Sequence, residues 1–203
     1  MESGENKLLL ESKMASTLRL AQACKYDAAH CDYVTRFSLV LFDALQPLHH
    51  HGLTERCWLE MAGILHDIGW LNGRSGHHKN TLKIILNSPL LDLSNKERLI
   101  VGSIARYHRK SLPGLDHDHF AALESSERRI VAELASFLRL ADGLDHFGDQ
   151  KIRDLSVEWD DNKVRLICKV ISLFSNNHKK IPKADLFEIV FNRKVEIKWS
   201  ILL

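Results

Sequence analysis

With 203 residues, the chain has room for one compact domain or one domain with a small appendage, and not for a multidomain assembly. Apolar residues at 45%, charged residues at 27%, and only 10 Gly and 4 Pro exclude collagen-like and low-complexity disordered classes. Twenty-eight Lys and Arg against 26 Asp and Glu leave a formal charge of +2, too small for bulk electrostatics to drive nucleic-acid binding, so no nucleic-acid partner is expected.

The spacing of Met14, Leu18 and Ala21 predicts an amphipathic helix from Glu11 to about Ala23. His30, Val34, Phe37, Leu41 and Leu45 share one face of a longer helix, from near Asp27 to Leu48, that closes at His51-Gly52. Gly52 would cap it, with His49, His50 and His51 at the negative end of its dipole. Thr54 reads as the N-cap of the next helix, whose face carries Trp58, Leu59, Ala62, Leu65 and His66 as far as Gly69. A loop from Asn72 to Gly76 precedes a helix from His77 to Asn87, stopped by Ser88-Pro89. Ser94 and Glu97 make a capping box, and the helix they open carries Ile100, Val101 and Ile104 and ends in His108. Ser111 to Gly114 interrupts the pattern; Asp116 to Phe120 reads as loop, with His117 and His119 exposed to solvent.

A last long helix spans about Ser126 to Asp145, with Ile130, Leu134, Phe137, Leu138, Ala141 and Asp142 on adjoining positions. After Gly148-Asp149-Gln150 the period changes to alternation. Leu155, Val157 and Trp159, then Val164, Leu166, Cys168 and Val170 beyond Asp160-Asp161-Asn162, predict a β-hairpin. A helix near Lys183 to Phe191 and a strand from Val195 to Trp199 follow. The expected fold is mainly α: a helical bundle over residues 11–148 with a small C-terminal α/β appendage over residues 149–203. No apolar run approaches the roughly 20 residues of a membrane-spanning helix, and the acidic start Met-Glu-Ser-Gly-Glu-Asn has no signal-peptide pattern. A cytoplasmic location without a membrane partner is expected, and Cys24, Cys31, Cys57 and Cys168, lacking any C-x-x-C pair, should be reduced and mostly buried.

Twelve histidines are many for such a chain, and several fall where helix faces should be apolar. His30, His66-Asp67, a member of His77-His78, His108 and Asp142 each stand where a core residue belongs. A lone histidine on an apolar face is usually a hydrogen-bonded core residue, but five helices carrying the same anomaly need a shared partner. Divalent metal is that partner: imidazole nitrogens with carboxylate oxygens suit Mn, Fe, Co or Mg better than a thiolate-selected ion. Adjacent helix residues diverge by about 100°, so His66 and Asp67 reach different quadrants and can serve one or two ions. Asp67, with two oxygens, is the expected bridge between a set of His30, His66, Asp67 and Asp142 and a set of Asp67, His77 or His78, and His108. A metal-bridged hydroxide at such a site attacks a phosphate ester or anhydride, which makes His66 and Asp67 the catalytic candidates.

Arg74, Lys79, Arg106, Arg109 and Lys110 offer cations for phosphate oxygens; Arg109 and Lys79, beside expected ligands, are preferred, and Arg106 and Lys110 fit a solvated helix end equally well. His78, Lys79, Arg109 and Lys110 form the substrate-binding group. Arg139 reads as structural, and His178-Lys179-Lys180 as an exposed loop.

His30, His66-Asp67 and Asp142 match the pattern of the HD-domain metal-dependent phosphohydrolases. The chain more closely resembles the C-terminal HD-like region of the exopolyphosphatase and guanosine pentaphosphate phosphatase family. The likeness is carried by His66-Asp67-Ile68-Gly69-Trp70, Ser75-Gly76-His77-His78-Lys79, the run from Ile104 to Pro113, Leu138-Arg139-Leu140-Ala141-Asp142-Gly143-Leu144-Asp145 and Asp185-Leu186-Phe187. It covers about residue 13 to the end. In that family the exopolyphosphatase activity belongs to actin-like domains with glycine-rich loops, which these residues do not contain, so the resemblance does not carry it over. Asn80 stands where the family often has another histidine. Thr81 matches the small residue that related proteins place four positions after the ligand, favouring His77, whereas His78 has the better relation to Leu82, Ile85 and Leu86, and both stay open.

The expected function is metal-dependent hydrolysis of a nucleotide or other small phosphorylated compound, with polyphosphate as a further candidate ligand. The alternative is a non-catalytic module that binds polyphosphate or nucleotide, or that forms a homodimer.

Overall fold

A computed structural model describes residues 2–73, 75–145, 150–171 and 183–202. Arg74, His178-Lys179-Lys180 and the expected boundary at 148–149 lie outside the described residues. The helices are α1 (Glu2–Ala23), α2 (Ala28–Ala44), α3 (Gln46–His49), α4 (Leu53–Leu65), α5 (His77–Asn87), α6 (Asn95–Arg106), α7 (Asp118–Ala121), α8 (Ser125–Leu144) and α9 (Asp185–Phe191), with a 3-10 turn over Ile68–Asn72. Three strands, β1 (Ile152–Trp159), β2 (Lys163–Val170) and β3 (Lys194–Ile201), form one sheet in the order β1-β2-β3. The fold is mainly α with a small α/β appendage, as the patterning implies. Among the described residues no helix is long and apolar enough to cross a membrane.

The long helix α8 is the axis of the bundle and packs against α2, α4, α6 and α9. Its Leu134, Phe137 and Leu138 meet Phe37 and Leu41 of α2, Leu65 of α4 and Ile104 of α6 in one apolar cluster. Each such side chain, fully removed from water, contributes about 1.5–3 kcal/mol before chain entropy is subtracted. The sheet joins the same cluster through Val164, Leu166, Cys168 and Val170, every second residue of β2. A register shift between Ile152 and Asp154 turns both Ile152 and Leu155 inward despite their odd spacing. β1 runs antiparallel to β2 and β3 parallel to it. Phe187 and Phe191 of α9 pack on Phe137, with ring centroids 6.1 and 5.4 Å away, and Tyr33 of α2 bonds through its hydroxyl to both backbone groups of Ile152.

Several local expectations change. The helix read from Asp27 to Leu48 divides after Ala44, because Pro47 has no N–H for a continuing ladder and sits instead in the first turn of α3. His50, with φ 58°, is the left-handed cap, and Gly52, not Thr54, is the N-cap of α4. His49 is buried against Phe42, and its Nε2 bonds to the Phe42 carbonyl. The Ser94–Glu97 capping box is present, but α6 ends at Arg106, which leaves His108 in the following turn. Residues 118–121 form a short helix where a loop was expected. His117 and His119 are half-buried rather than exposed, bonded to the Tyr107 and Ser103 hydroxyls and stacked on each other. All four cysteines are free and buried.

Candidate metal centre

Local geometry aims each chemical side chain at one point. Asp27 caps α2 by accepting the His30 N–H, which fixes His30 in the first turn. His66 is the C-cap of α4 and keeps helical angles, whereas Asp67 at φ −110° and ψ 6° has left the helix, so the two adjacent side chains part. Gly69 then lets the 3-10 turn lie directly on α5: a Cβ there would stand 2.1 Å from the His77 carbonyl oxygen and 2.6 Å from the Thr81 nitrogen. The buried Thr81 hydroxyl locks the contact, accepting from Gly69 N–H and donating to the His66 carbonyl. That junction brings Asp67 against His77. His108 enters from the turn after α6, and Asp142 and Asp145 from the end of α8.

Two groups of donor atoms result, His30 with His66 and Asp142, and Asp67 with His77 and His108. In the first, His30 Nε2 lies 3.3 Å from His66 Nε2 and 3.6 Å from Asp142 Oδ1. In the second, His77 Nε2 lies 3.2 Å from His108 Nε2 and 3.0 Å from Asp67 Oδ1, with His108 Nε2 3.5 Å from the same oxygen. The other oxygen, Asp67 Oδ2, faces the first group at 3.7 Å from His30 Nε2 and 3.6 Å from His66 Nε2. Donors held about 2.1 Å from one ion stand roughly 3.0 Å apart across an octahedral edge and about 3.4 Å across a tetrahedral one. The separations within each group, 3.0 to 3.6 Å, lie in or close to that range, so each group could hold an ion.

The outer contacts prepare the inner atoms. His66 and His108 donate Nδ1–H to the Gly63 and Ala105 carbonyls, each at 2.7 Å, which leaves Nε2 with its lone pair. His30 Nδ1 is 2.7 Å from buried Asp145 Oδ2. Burial disfavours a charged His30, but Asp142, Asp145 and Asp67 outweigh it and hold the ring's pKa up to about 10. His108 is pushed down to about 3 by burial and by His66. Burial would raise the Asp67 carboxyl, yet His66, His77 and His108 keep it well below the ordinary range, and Asp142 is likewise held down by His30 and Lys183. Asp67 Oδ1 is buried without an aligned hydrogen bond. A buried carboxylate oxygen among imidazole nitrogens is a donor set suited to a borderline or hard divalent ion.

A cleft of about 1090 Å³ opens on these groups. Its wall includes His30, Asp67, His108 and Asp142, and Arg109 among the expected cations. His77, not His78, enters the second group; His78 is buried edge-on to His77 and His108, and burial, Arg106 and His77 push its pKa down to about 4. Lys79 and Lys110 are exposed and do not line this cleft. Arg106 is buried, its Nη1 without a hydrogen-bond partner among the described residues, and Arg139 is structural, tying Asp185 to the Tyr107 and Lys110 carbonyls. Asp145, which belongs to the stretch that carries the resemblance, and Lys25 and Lys183 also line the cleft, although none of the three was expected as a site residue. Asp145 was detectable, since it shares a helix face with Asp142 three residues earlier; the lysines lie in other segments and carried no local signal.

The family model for Ppx/GppA phosphatase, domain III, matches residues 13–187.

Proposed function

Because the chain belongs to the Ppx/GppA phosphatase domain III family, we propose that it is a metal-dependent phosphohydrolase of the HD type, acting on a nucleotide or another small phosphorylated compound. The observation that carries this reading is the pair of Asp67 oxygens, one turned to each donor group. His30, His66 and Asp142 would hold one ion, His77 and His108 a second, and Asp67 both. Bound there, divalent ions supply a nucleophilic water at neutral pH and neutralise charge developing on phosphate oxygens.

The chain's own residues do the rest. Asp145 and the Gly63 and Ala105 carbonyls hold His30, His66 and His108 by Nδ1, so that every Nε2 is directed inward before substrate arrives. Arg109, on the cleft wall beside His108, offers planar N–H donors to a phosphate. Trp70 and Leu71, 44% and 58% exposed, form an apolar part of the same wall, against which the non-phosphate part of a substrate can lie.

Elemental analysis of the purified protein, followed by assays on phosphomonoesters, phosphodiesters, nucleotides and polyphosphate with Mn, Co, Mg and Ni, tests the reading. Ions bound at one or two per chain with turnover on one phosphate class are expected. A protein that takes up no divalent ion and hydrolyses none of these compounds would overturn it.

A further inference from the structure

We propose that Lys183, delivered by the appendage, is a substrate-binding residue whose ammonium holds a phosphate oxygen over the donor groups. The proposal rests on the hydrolase reading above for the identity of the bound compound.

Lys183 lines the cleft with Arg109 and Lys25. Its Nζ is hydrogen-bonded to Asp142 Oδ2, whereas His30 faces Oδ1. An ammonium has three N–H donors, and among the described contacts Asp142 takes one, which leaves two for an anion in the cleft. The backbone at Lys183 has φ 71°, a left-handed conformation that costs a residue with a Cβ and persists only where the surroundings impose it. Lys25 and Gln150, on the same cleft wall, have φ 53° and 48°.

Two residues on, the chain is anchored to the bundle. Asp185 is gripped by the Arg139 guanidinium, Nε to Oδ1 at 2.7 Å and Nη2 to Oδ2 at 2.8 Å. The same guanidinium donates to the carbonyls of Tyr107 and Lys110, which bracket His108 and Arg109. One buried arginine thus ties the segment just after Lys183 to the backbone on either side of His108 and Arg109. A cation needed only to neutralise Asp142 would require no such link to the segment that carries Arg109. Two positive groups lining one cleft with the metal-ligand set fit a phosphate.

Titration of Mn-loaded protein with inorganic phosphate, followed by calorimetry and paired with elemental analysis, tests this. Lys183→Ala is expected to bind phosphate about tenfold or more weakly with its metal content unchanged, as loss of a charge-assisted hydrogen bond implies. Lys183→Arg should recover most of that affinity. Asp185→Asn, which weakens the clamp and keeps the lysine, should give a smaller loss of the same sign. Phosphate affinity in Lys183→Ala within about twofold of wild type, loss of the metal together with the phosphate, or failure of the wild type to bind phosphate would each overturn the proposal. A wild type without ions or turnover that still loses phosphate binding on Lys183→Ala would remove the hydrolase reading and retain Lys183 as a phosphate ligand.

Discussion

Asp67→Asn separates the two donor groups most sharply. Asparagine keeps the shape and one carbonyl oxygen of the carboxylate, but replaces the other oxygen with a donor that cannot ligate a cation. In the wild type, Oδ1 lies 3.0 Å from His77 Nε2 and 3.5 Å from His108 Nε2, and Oδ2 lies 3.6 Å from His66 Nε2. After substitution the first group still has His30, His66 and Asp142, the complement of three protein ligands that catalytic ions ordinarily have. The second keeps two imidazole nitrogens with at most a neutral amide oxygen, and loses its one anion. Elemental analysis after dialysis should therefore fall from about two ions per chain toward one. Hydrolysis should fall by at least about 10²–10³-fold, the effect of removing a group worth about 2.7–4 kcal/mol in the transition state. Circular dichroism checks that the variant folds. Wild-type ion content and wild-type turnover in folded Asp67→Asn would refute the bridge.

Three further outcomes follow from contacts around the site. Asp145→Asn weakens the partner of His30 Nδ1, and equilibrium titration should show metal affinity at the first group lowered about 10–100-fold with the second group retained; unchanged affinity would mean that Asp145 does not orient His30. Gly69→Ala places a methyl against the His77 carbonyl and Thr81 nitrogen, backbone atoms that no rotamer change can move, so thermal denaturation should show destabilisation by about 3 kcal/mol or more. A melting temperature within about 2 °C of wild type would refute that close packing. Glu97 joins α1 to α6 through Lys13 at 2.6 Å; burial would raise its pKa, but Lys13 and the Ser94 cap outweigh burial and lower it. A depressed folded pKa gives stability that is complete above the unfolded value near 4.3 and is lost as pH falls through the folded value. In urea denaturation, Glu97→Gln should therefore cost about 1 kcal/mol at pH 7, and the difference should close as the solution is acidified below about pH 4. A gap that does not change with pH would assign the loss to packing instead.

Helix by helix, the donors were legible because local sequence reports which face a residue occupies. His30, His66-Asp67, His108 and Asp142 interrupt apolar faces or helix ends, and the cost of burying an unpaired imidazole or carboxylate makes each interruption informative. The Ser94–Glu97 box, the stop before Pro89 and the alternation of β2 were equally local, since each depends on hydrogen bonds or side-chain periods within a few residues.

The choice between His77 and His78 was not local. Both open α5, and only the seating of the 3-10 turn at Gly69 and Thr81 turns Asp67 toward His77. Charge in sequence likewise carried no depth: Arg106 and Arg109 are three residues apart, yet the first is buried and the second lines the cleft. Lys183 meets Asp142 from a segment 41 residues away, a distance at which side-chain periodicity has no meaning. The sequence by itself determined most of the helices, the Ser94–Glu97 cap and the kinds of donor they carry. Tertiary packing alone decided which donors share a point, because that depends on contacts between elements with no common period.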